Sequence, residues 1–304
     1  MELGAQIPIW FWGYSVSELR DWLQGAEAIG YQWLDMPDHV VYAYTLPDRP
    51  ASRHNDGVPH HEIMTFLAYA AACTSTAALV ASVVVAPQRE PVLLAKQAAE
   101  VDVLSGGRLR LGLGMGWQEA EFEALGASLQ QRPSRMEEAV AVMRACWSQE
   151  PINFRGRYST LRSMSMLPKP ATENGPPILF GGTVPAALKR AARLGDGWLA
   201  GMAFTPEMAP PLVDELHGYL RDYGRDPAAF PLHATMSLSS DLDALTKQCS
   251  AFRDTGFTRL GMHMPSVDPA AKIAVDVYLR QLEIVHREVW PAITGGADAT
   301  DRTS

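Results

Sequence analysis

The clearest structural signal in the chain is LVASVVVA at residues 79–86, followed by PVLLAKQAAEVDVL at 91–104 and RLRLGLG at 108–114. The first and third stretches are short apolar runs, one rich in β-branched residues and one with alternating leucines, as is typical of buried strands. The middle stretch begins with proline and continues with helix-forming residues, which predicts a helix. A strand, a helix and a second strand in this order predict a parallel sheet.

The same alternation continues on both sides of this unit. Strands are predicted at 5–12, 31–36, 79–86, 108–114, 177–180, 197–200, 232–236 and 259–264. Helices are predicted to follow at 17–29, from 62, and at 91–104, 134–147, 185–194, 206–223, 241–254 and 269–289. Ser17 is the expected N-cap of the first helix and Gly30 its C-cap.

Eight strand–helix units predict an α/β fold of the (β/α)8 TIM-barrel class, with insertions after strands 2 and 4. We expect one domain over residues 1–293, a small hairpin at 152–162 and a disordered tail at 294–304. A doubly wound open sheet is the alternative, because counting units does not show closure. No GxGxxG motif follows the first strand, which disfavours a dinucleotide-binding sheet.

Composition limits the classes of binding partner and predicts the cellular compartment. The 304 residues carry 26 basic and 34 acidic side chains and a net charge of −8, which argues against nucleic-acid binding. Three widely spaced cysteines and the lack of a signal-peptide pattern predict a cytoplasmic protein. The charge-free stretch 63–88 changes character near Thr74, so we interpret it as a helix and a strand rather than a membrane span. The pair His60 and His61 lacks metal-ligand spacing, so no metal site is predicted.

In a barrel, the active site lies at the carboxyl ends of the strands, and Asp38-His39 is the most distinctive polar pair there. A histidine can donate or accept a proton near pH 7, and a neighbouring aspartate can favour one tautomer. An ordinary loop cap is the alternative interpretation. The other predicted strand ends are aromatic, small or sulfur-bearing, which suits a flat and largely apolar ligand.

Two glycine-rich strand ends add binding signals. In the fourth strand, Gly112 and Gly114 alternate with leucines, and glycine lets a ligand approach the backbone closely. The turn Gly181-Gly182-Thr183 precedes a predicted helix, where backbone N–H groups and a hydroxyl can bind an anion. A tight turn and a glycine-rich connector are the respective alternatives.

Taken together, the sequence resembles the luciferase-like monooxygenase superfamily, and within it the enzymes that use the deazaflavin coenzyme F420. The resemblance covers about residues 4–289 and is most specific in AKQAAEVDVLSGGRLRLGLGMGW at 95–117, PPILFGG at 176–182 and GDGW at 195–198. It implies a (β/α)8 barrel, a cofactor ring at the carboxyl end, a small-molecule substrate and a homodimer.

The resemblance also implies roles for individual residues. His39, with Asp38, lies near the reacting face of the ring, and Ser82-Val83 corresponds to a non-proline cis peptide against the ring. The implied cofactor-binding residues are Asp38, Ser82, Val83, Gly114, Met115, Gly181, Gly182 and Thr183, the last three forming a phosphate loop. The implied substrate pocket contains Trp10, Trp12, Trp117 and His263.

For the cofactor, the resemblance favours F420 over flavin mononucleotide (FMN), because FMN-dependent members tend to place an arginine where this chain has Met115. A sugar-phosphate dehydrogenase of the family has a catalytic glutamate at the position of Trp117, so that reaction is disfavoured. We expect hydride transfer between F420 and a small organic substrate, assisted by His39. The alternatives are an FMN-dependent two-component monooxygenase and a non-catalytic flavin-binding barrel.

Overall fold

A computed structural model describes residues 1–8, 14–48, 60–201, 204–265 and 273–295 of the chain. The strands within these residues are β1 (Glu2–Gln6), β2 (Trp33–Met36), β3 (Ala78–Val85), β4 (Leu109–Gly114), β5 (Ile152–Arg155), β6 (Thr160–Met164), β7 (Ile178–Gly181), β8 (Gly197–Leu199), β9 (Leu232–Ser237) and β10 (Arg259–His263).

Helices alternate with these strands. They are α1 (Val16–Ile29), α2 (Ile63–Cys73), α3 (Pro91–Ser105), α4 (Glu119–Ala124), α5 (Arg132–Ser148), α6 (Pro185–Leu194), α7 (Ala209–Asp222), α8 (Leu242–Asp254), α9 (Val275–Ile284) and α10 (Trp290–Thr294). A π-helical turn at Val285–Val289 joins α9 to α10. Within the described residues, no helix has the length and apolar composition needed to cross a bilayer.

Eight strands form a closed barrel in the order β1–β10–β9–β8–β7–β4–β3–β2. The pairings are parallel, with Leu3 opposite Leu260 and Ala5 opposite Leu34 on the two sides of β1. The predicted barrel is confirmed, and the open-sheet alternative is wrong because the strand order closes on itself. Since β7 neighbours β4 in this order, the antiparallel hairpin of β5 and β6 belongs to the predicted insertion after strand 4.

The chain divides into two compact units. The first comprises Met1–Asp35, Thr76–Ala78 and Leu179–Ser304, and the second comprises Met36–Ser75 and Leu79–Ile178. In the first unit, Trp22, Trp33 and Trp198 are fully buried. In the second, buried alanines of α3 allow close helix packing, and the Trp147 indole donates to the carbonyl oxygen of Ala95 at 2.9 Å.

Several predicted boundaries needed correction. β1 begins at Glu2 rather than Ala5, because Glu2 already pairs with Arg259 of β10. Gly4 lies under the Trp33 ring, where a Cβ atom would come within 2.1 Å of that ring. The N-cap of α1 is Ser15 rather than Ser17, in a reciprocal capping box with Glu18. Gly30 ends α1 in the left-handed conformation, as predicted. The predicted last helix over 269–289 begins only at Val275 among the described residues.

Candidate active site

Asp38 and His39 follow β2 directly and belong to the second unit, together with the residues that end β3 and β4. Both side chains are buried, with 4 % and 9 % of their surface exposed. Although they are adjacent in sequence, their polar atoms bind different partners. The site therefore contains two separate sets of polar contacts, one around each side chain.

Asp38 forms an ion-pair cluster with Arg89. Asp38 Oδ1 lies 2.7 Å from Arg89 Nη2, and its Oδ2 accepts from the Val85 amide at 3.0 Å. Arg89 Nη1 also donates to Glu62 Oε1 at 3.0 Å. Burial raises the pKa of Asp38, and the Arg89 guanidinium and the Val85 amide oppose that rise. Burial disfavours the charged form of Arg89, yet Asp38 and Glu62 raise its pKa.

The carboxylate that binds His39 is Glu121, on the short helix α4. Nδ1 of His39 lies 3.2 Å from Glu121 Oε2 in a buried contact. The expectation that Asp38 would orient the imidazole therefore needs correction, since the Asp38 oxygens bind Arg89 and the Val85 amide. Because a carboxylate oxygen only accepts, this contact puts a proton on Nδ1 and, in the neutral ring, leaves the lone pair on Nε2.

Aromatic rings surround His39. Its ring centroid lies 5.1 Å from that of Tyr42, 5.7 Å from His60 and 5.7 Å from Trp117, the latter two in edge-to-face geometry. Burial, with Glu121 and Asp38 nearby, raises the pKa of Tyr42, so its hydroxyl stays neutral. The predicted pocket residue Trp117 is thus brought against His39, with 53 % of its surface exposed.

A cleft of about 770 Å³ opens beside Trp117. Its lining combines apolar side chains such as Leu46 and Phe122 with polar and acidic ones such as Gln118 and Glu119. Trp117 contacts His39 and also lines the cleft, so a molecule in the cleft can reach the Trp117 ring. The dimensions suit a small organic ligand.

The end of β3 has the backbone geometry that the resemblance implies. The Ser82–Val83 peptide bond is cis, and these two residues are half-buried in a strand that is otherwise fully buried. Gly114 does not leave open space for a ligand as proposed, because a Cβ atom there would lie 2.2 Å from Cγ2 of Val83. The Val83 side chain fills that position. Met115, the next residue, is half-buried.

In the first unit, Gly181, Gly182 and Thr183 form the turn before α6. Gly182 has a φ of 116°, and its carbonyl oxygen accepts from the Trp198 indole at 2.8 Å. Thr183 is half-buried, and the N-cap residue Val184 has no polar side chain to satisfy the first helical amides. The turn therefore keeps the amide-rich character that an anion site needs.

His263 ends β10, also in the first unit, and is 6 % exposed. Its Nδ1 lies 3.0 Å from the Met264 carbonyl oxygen, which only accepts, so Nδ1 carries a proton. Burial lowers the pKa of His263 and favours the neutral ring. Its Nε2 is then an acceptor for which the described residues offer no donor.

Two predicted pocket residues, Trp10 and Trp12, lie outside the described residues, as do residues 296–304 of the predicted tail. Among the residues that the structure describes, no group of three or more His, Cys, Asp and Glu could hold a metal ion.

Sequence reasoning missed Arg89 and Glu121. Arg89 follows the 3-10 turn Ala86–Gln88, and Glu121 lies on a six-residue helix that the pattern did not predict. Glu121 is separated from His39 by 82 positions. The one available signal was its position shortly after the end of the fourth strand, where functional residues of a barrel collect.

The sequence of the chain is similar to those of several known proteins. Over 184 residues, the chain is 32 % identical to an uncharacterized protein of Mycobacterium tuberculosis strain H37Rv, which covers 59 % of the chain and 63 % of that protein. The chain thus spans less than two thirds of the length of this relative. An FMNH2-dependent dimethylsulfone monooxygenase of Pseudomonas fluorescens is 35 % identical over 139 residues, or 45 % of this chain and 37 % of that protein.

Among solved structures, an F420-dependent secondary alcohol dehydrogenase bound to an F420–acetone adduct aligns with a TM-score of 0.78 at 19 % identity. The alignment covers 96 % of this chain and 98 % of that one, and at this identity it establishes the fold alone. The sequence profile described as luciferase-like monooxygenase matches residues 4–281. The chain therefore belongs to the luciferase-like monooxygenase family of oxidoreductases.

Proposed function

We propose that the protein transfers a hydride between coenzyme F420 and a small organic substrate. The observation that carries the proposal is His39, an imidazole placed directly after β2, covered by Trp117 and next to a cleft of small-molecule size. Family membership supplies the redox class, and the choice of F420 is our inference from the residues below.

When bound, F420 supplies a ring carbon that accepts or donates a hydride. Ser82 and Val83 would face the flat ring, because they are the part of β3 that the protein itself leaves partly uncovered. Met115 supports F420 over FMN, since this position lacks the arginine expected near an FMN phosphate. Asp38 and Gly114 would support the ring indirectly, by holding the backbone at Val85 and the side chain of Val83.

In the first unit, we propose a phosphate-binding turn at Gly181, Gly182 and Thr183, as the resemblance implies. The helix that follows directs its first N–H groups towards this turn, and the hydroxyl of the half-buried Thr183 could add a hydrogen bond.

His39 would move the proton that accompanies the hydride. During substrate oxidation, a hydride leaves a substrate carbon, and a proton leaves the attached oxygen or nitrogen for Nε2 of His39. During substrate reduction, the hydride returns to the carbon and the proton returns to the oxygen or nitrogen. Trp117 would cover the substrate and exclude water. In the first unit, His263 is a separate candidate for accepting a hydrogen bond from a ligand.

The alternative is an FMN-dependent monooxygenase that receives reduced flavin from a separate reductase. The local likeness to an FMNH2-dependent dimethylsulfone monooxygenase favours it. Separate fluorescence titrations of the purified protein with F420 and FMN distinguish the two proposals. We expect saturable binding of F420 and much weaker binding of FMN, and tight binding of FMN alone would reverse the assignment.

If the protein binds F420 but converts no alcohol, aldehyde or ketone in a broad screen, the non-catalytic barrel is favoured instead. The homodimer implied by the resemblance also stays a prediction. Light scattering coupled to size-exclusion chromatography should give twice the 33.2 kDa chain mass if it is right.

A further inference from the structure

Glu121 is a buried carboxylate with an unusual number of partners. It is 1 % exposed and lies on α4, which is only six residues long. Its Oε1 accepts from the Val40 amide at 2.6 Å and from the Val41 amide at 3.4 Å. Its Oε2 lies 3.2 Å from His39 Nδ1 and 3.3 Å from Gln88 Nε2.

Burying a carboxylate is costly unless its oxygens are hydrogen-bonded. Burial opposes the ionisation of Glu121, but the bonds from His39 and the Val40 amide outweigh it and lower its pKa. The two oxygens have separate tasks: Oε1 holds the backbone of the loop after β2, and Oε2 faces the imidazole at the start of that loop. Asp38, the other nearby carboxylate, is bound by Arg89.

We propose that Glu121 is a positioning residue that fixes His39 in the Nδ1–H tautomer, so that Nε2 is the nitrogen that exchanges protons with the substrate. The functional part of this inference rests on the role proposed for His39, whereas the tautomer itself is a property of the protein alone. A histidine oriented by a carboxylate is a recurrent way to fix which ring nitrogen reacts.

The substitution Glu121→Gln tests the proposal, because the hydrogen-bond partners at this position fix the orientation of the new side-chain amide. The Val40 amide requires an acceptor at the position of Oε1, so the carbonyl oxygen of the new side chain must remain there. The amide nitrogen then occupies the position of Oε2 and becomes a donor facing His39 Nδ1. Gln88 can turn its own amide to accept from the same group. The neutral imidazole must change to the Nε2–H tautomer.

Nitrogen-15 NMR of the histidine rings reads the tautomer directly, without cofactor or substrate. Spectra are recorded at rising alkaline pH until the ring signals no longer change, so that the neutral imidazole is the form observed. The His39 signals are identified as those missing from His39→Ala. We expect Nδ1–H in the wild type, Nε2–H in Glu121→Gln, and an unchanged signal in Glu173→Gln, an exposed glutamate of the same unit.

An Nε2–H tautomer in the wild type would overturn the proposal, and so would an Nδ1–H tautomer that persists in Glu121→Gln. The wild-type result stands even if the variant does not fold. With F420 and an active substrate, Glu121→Gln should lower kcat about 10- to 100-fold, the usual scale for a residue that orients a functional histidine, with KM nearly unchanged.

The two proposals fail in different ways. If His39→Ala keeps full turnover, the proposed function loses its proton carrier while the tautomer result remains. If His39→Ala abolishes turnover but Glu121→Gln leaves both kcat and the tautomer as in the wild type, the positioning role alone is wrong.

Discussion

Asp38 and His39 are neighbours in sequence, yet they anchor two regions with opposite chemistry. The Asp38 region is an ion-pair cluster in which the Arg89 guanidinium pairs with the carboxylates of Asp38 and Glu62. In the His39 region, one carboxylate faces an imidazole that can gain or lose a proton, among aromatic rings and beside a cleft. The contrast teaches that the first region holds the loop after β2 in place, whereas the second has the imidazole on which the proposed proton transfer depends.

Removing the cation from the first region should have the largest effect. Arg89→Met leaves the Asp38 carboxylate buried without its partner, and breaking a buried pair in this way costs about 3–5 kcal/mol. Urea unfolding of Arg89→Met and the wild type measures the loss. Arg20→Met is the matched control: it breaks the exposed pair with Asp21, so it should cost about 0–1 kcal/mol. Equal losses in the two variants would show that the Asp38 region does not anchor the loop.

Changing the second region should affect turnover instead. His39→Ala should lower kcat about 100-fold or more, the usual contribution of an acid–base group, while F420 binding stays close to that of the wild type. Steady-state assays that follow F420 absorbance, together with the fluorescence titration, separate the two effects. Loss of binding with unchanged kcat would assign His39 to the cofactor rather than to the proton.

A third substitution tests the packing between β3 and β4. Gly114→Ala places a methyl group 2.2 Å from Val83 Cγ2, next to the cis peptide, and overpacking of this kind costs about 1–3 kcal/mol. The control is Gly218→Ala in α7, where no atom lies within 4 Å of the new Cβ, so the variant should gain about 0.5–1 kcal/mol. Thermal unfolding compares them, and a Gly114→Ala variant as stable as the wild type would contradict the observed packing.

The smallest expected effect is the pH dependence of stability from Glu121. Its pKa is lowered in the folded protein, so its ionised form stabilises the fold above the ordinary value of 4.5. This contribution is lost as the pH falls through the folded-state pKa. The difference in unfolding free energy between the wild type and Glu121→Gln should therefore narrow as the pH falls below about 5. A difference that does not change down to pH 3 would contradict an ionised Glu121.

Local sequence patterns were sufficient for the barrel and insufficient for the site. The run at 79–86 and the cap at Gly30 are set by neighbouring residues, so their prediction as strand and helix end was correct. The pairing of His39 with Glu121 brings together the loop after β2 and helix α4, which meet only in the folded chain, and α4 is too short to give a periodic signal. Sequence adjacency favoured Asp38 as the partner, whereas Arg89 binds that carboxylate.

Determining the structure of the protein with F420 bound tests the central claim most directly. We predict that the deazaflavin ring lies against the Ser82–Val83 peptide, with His39 within hydrogen-bonding reach of a substrate placed over the ring. A ring bound elsewhere, or side chains that fill the space beside this peptide so that no cofactor enters, would contradict the proposed function.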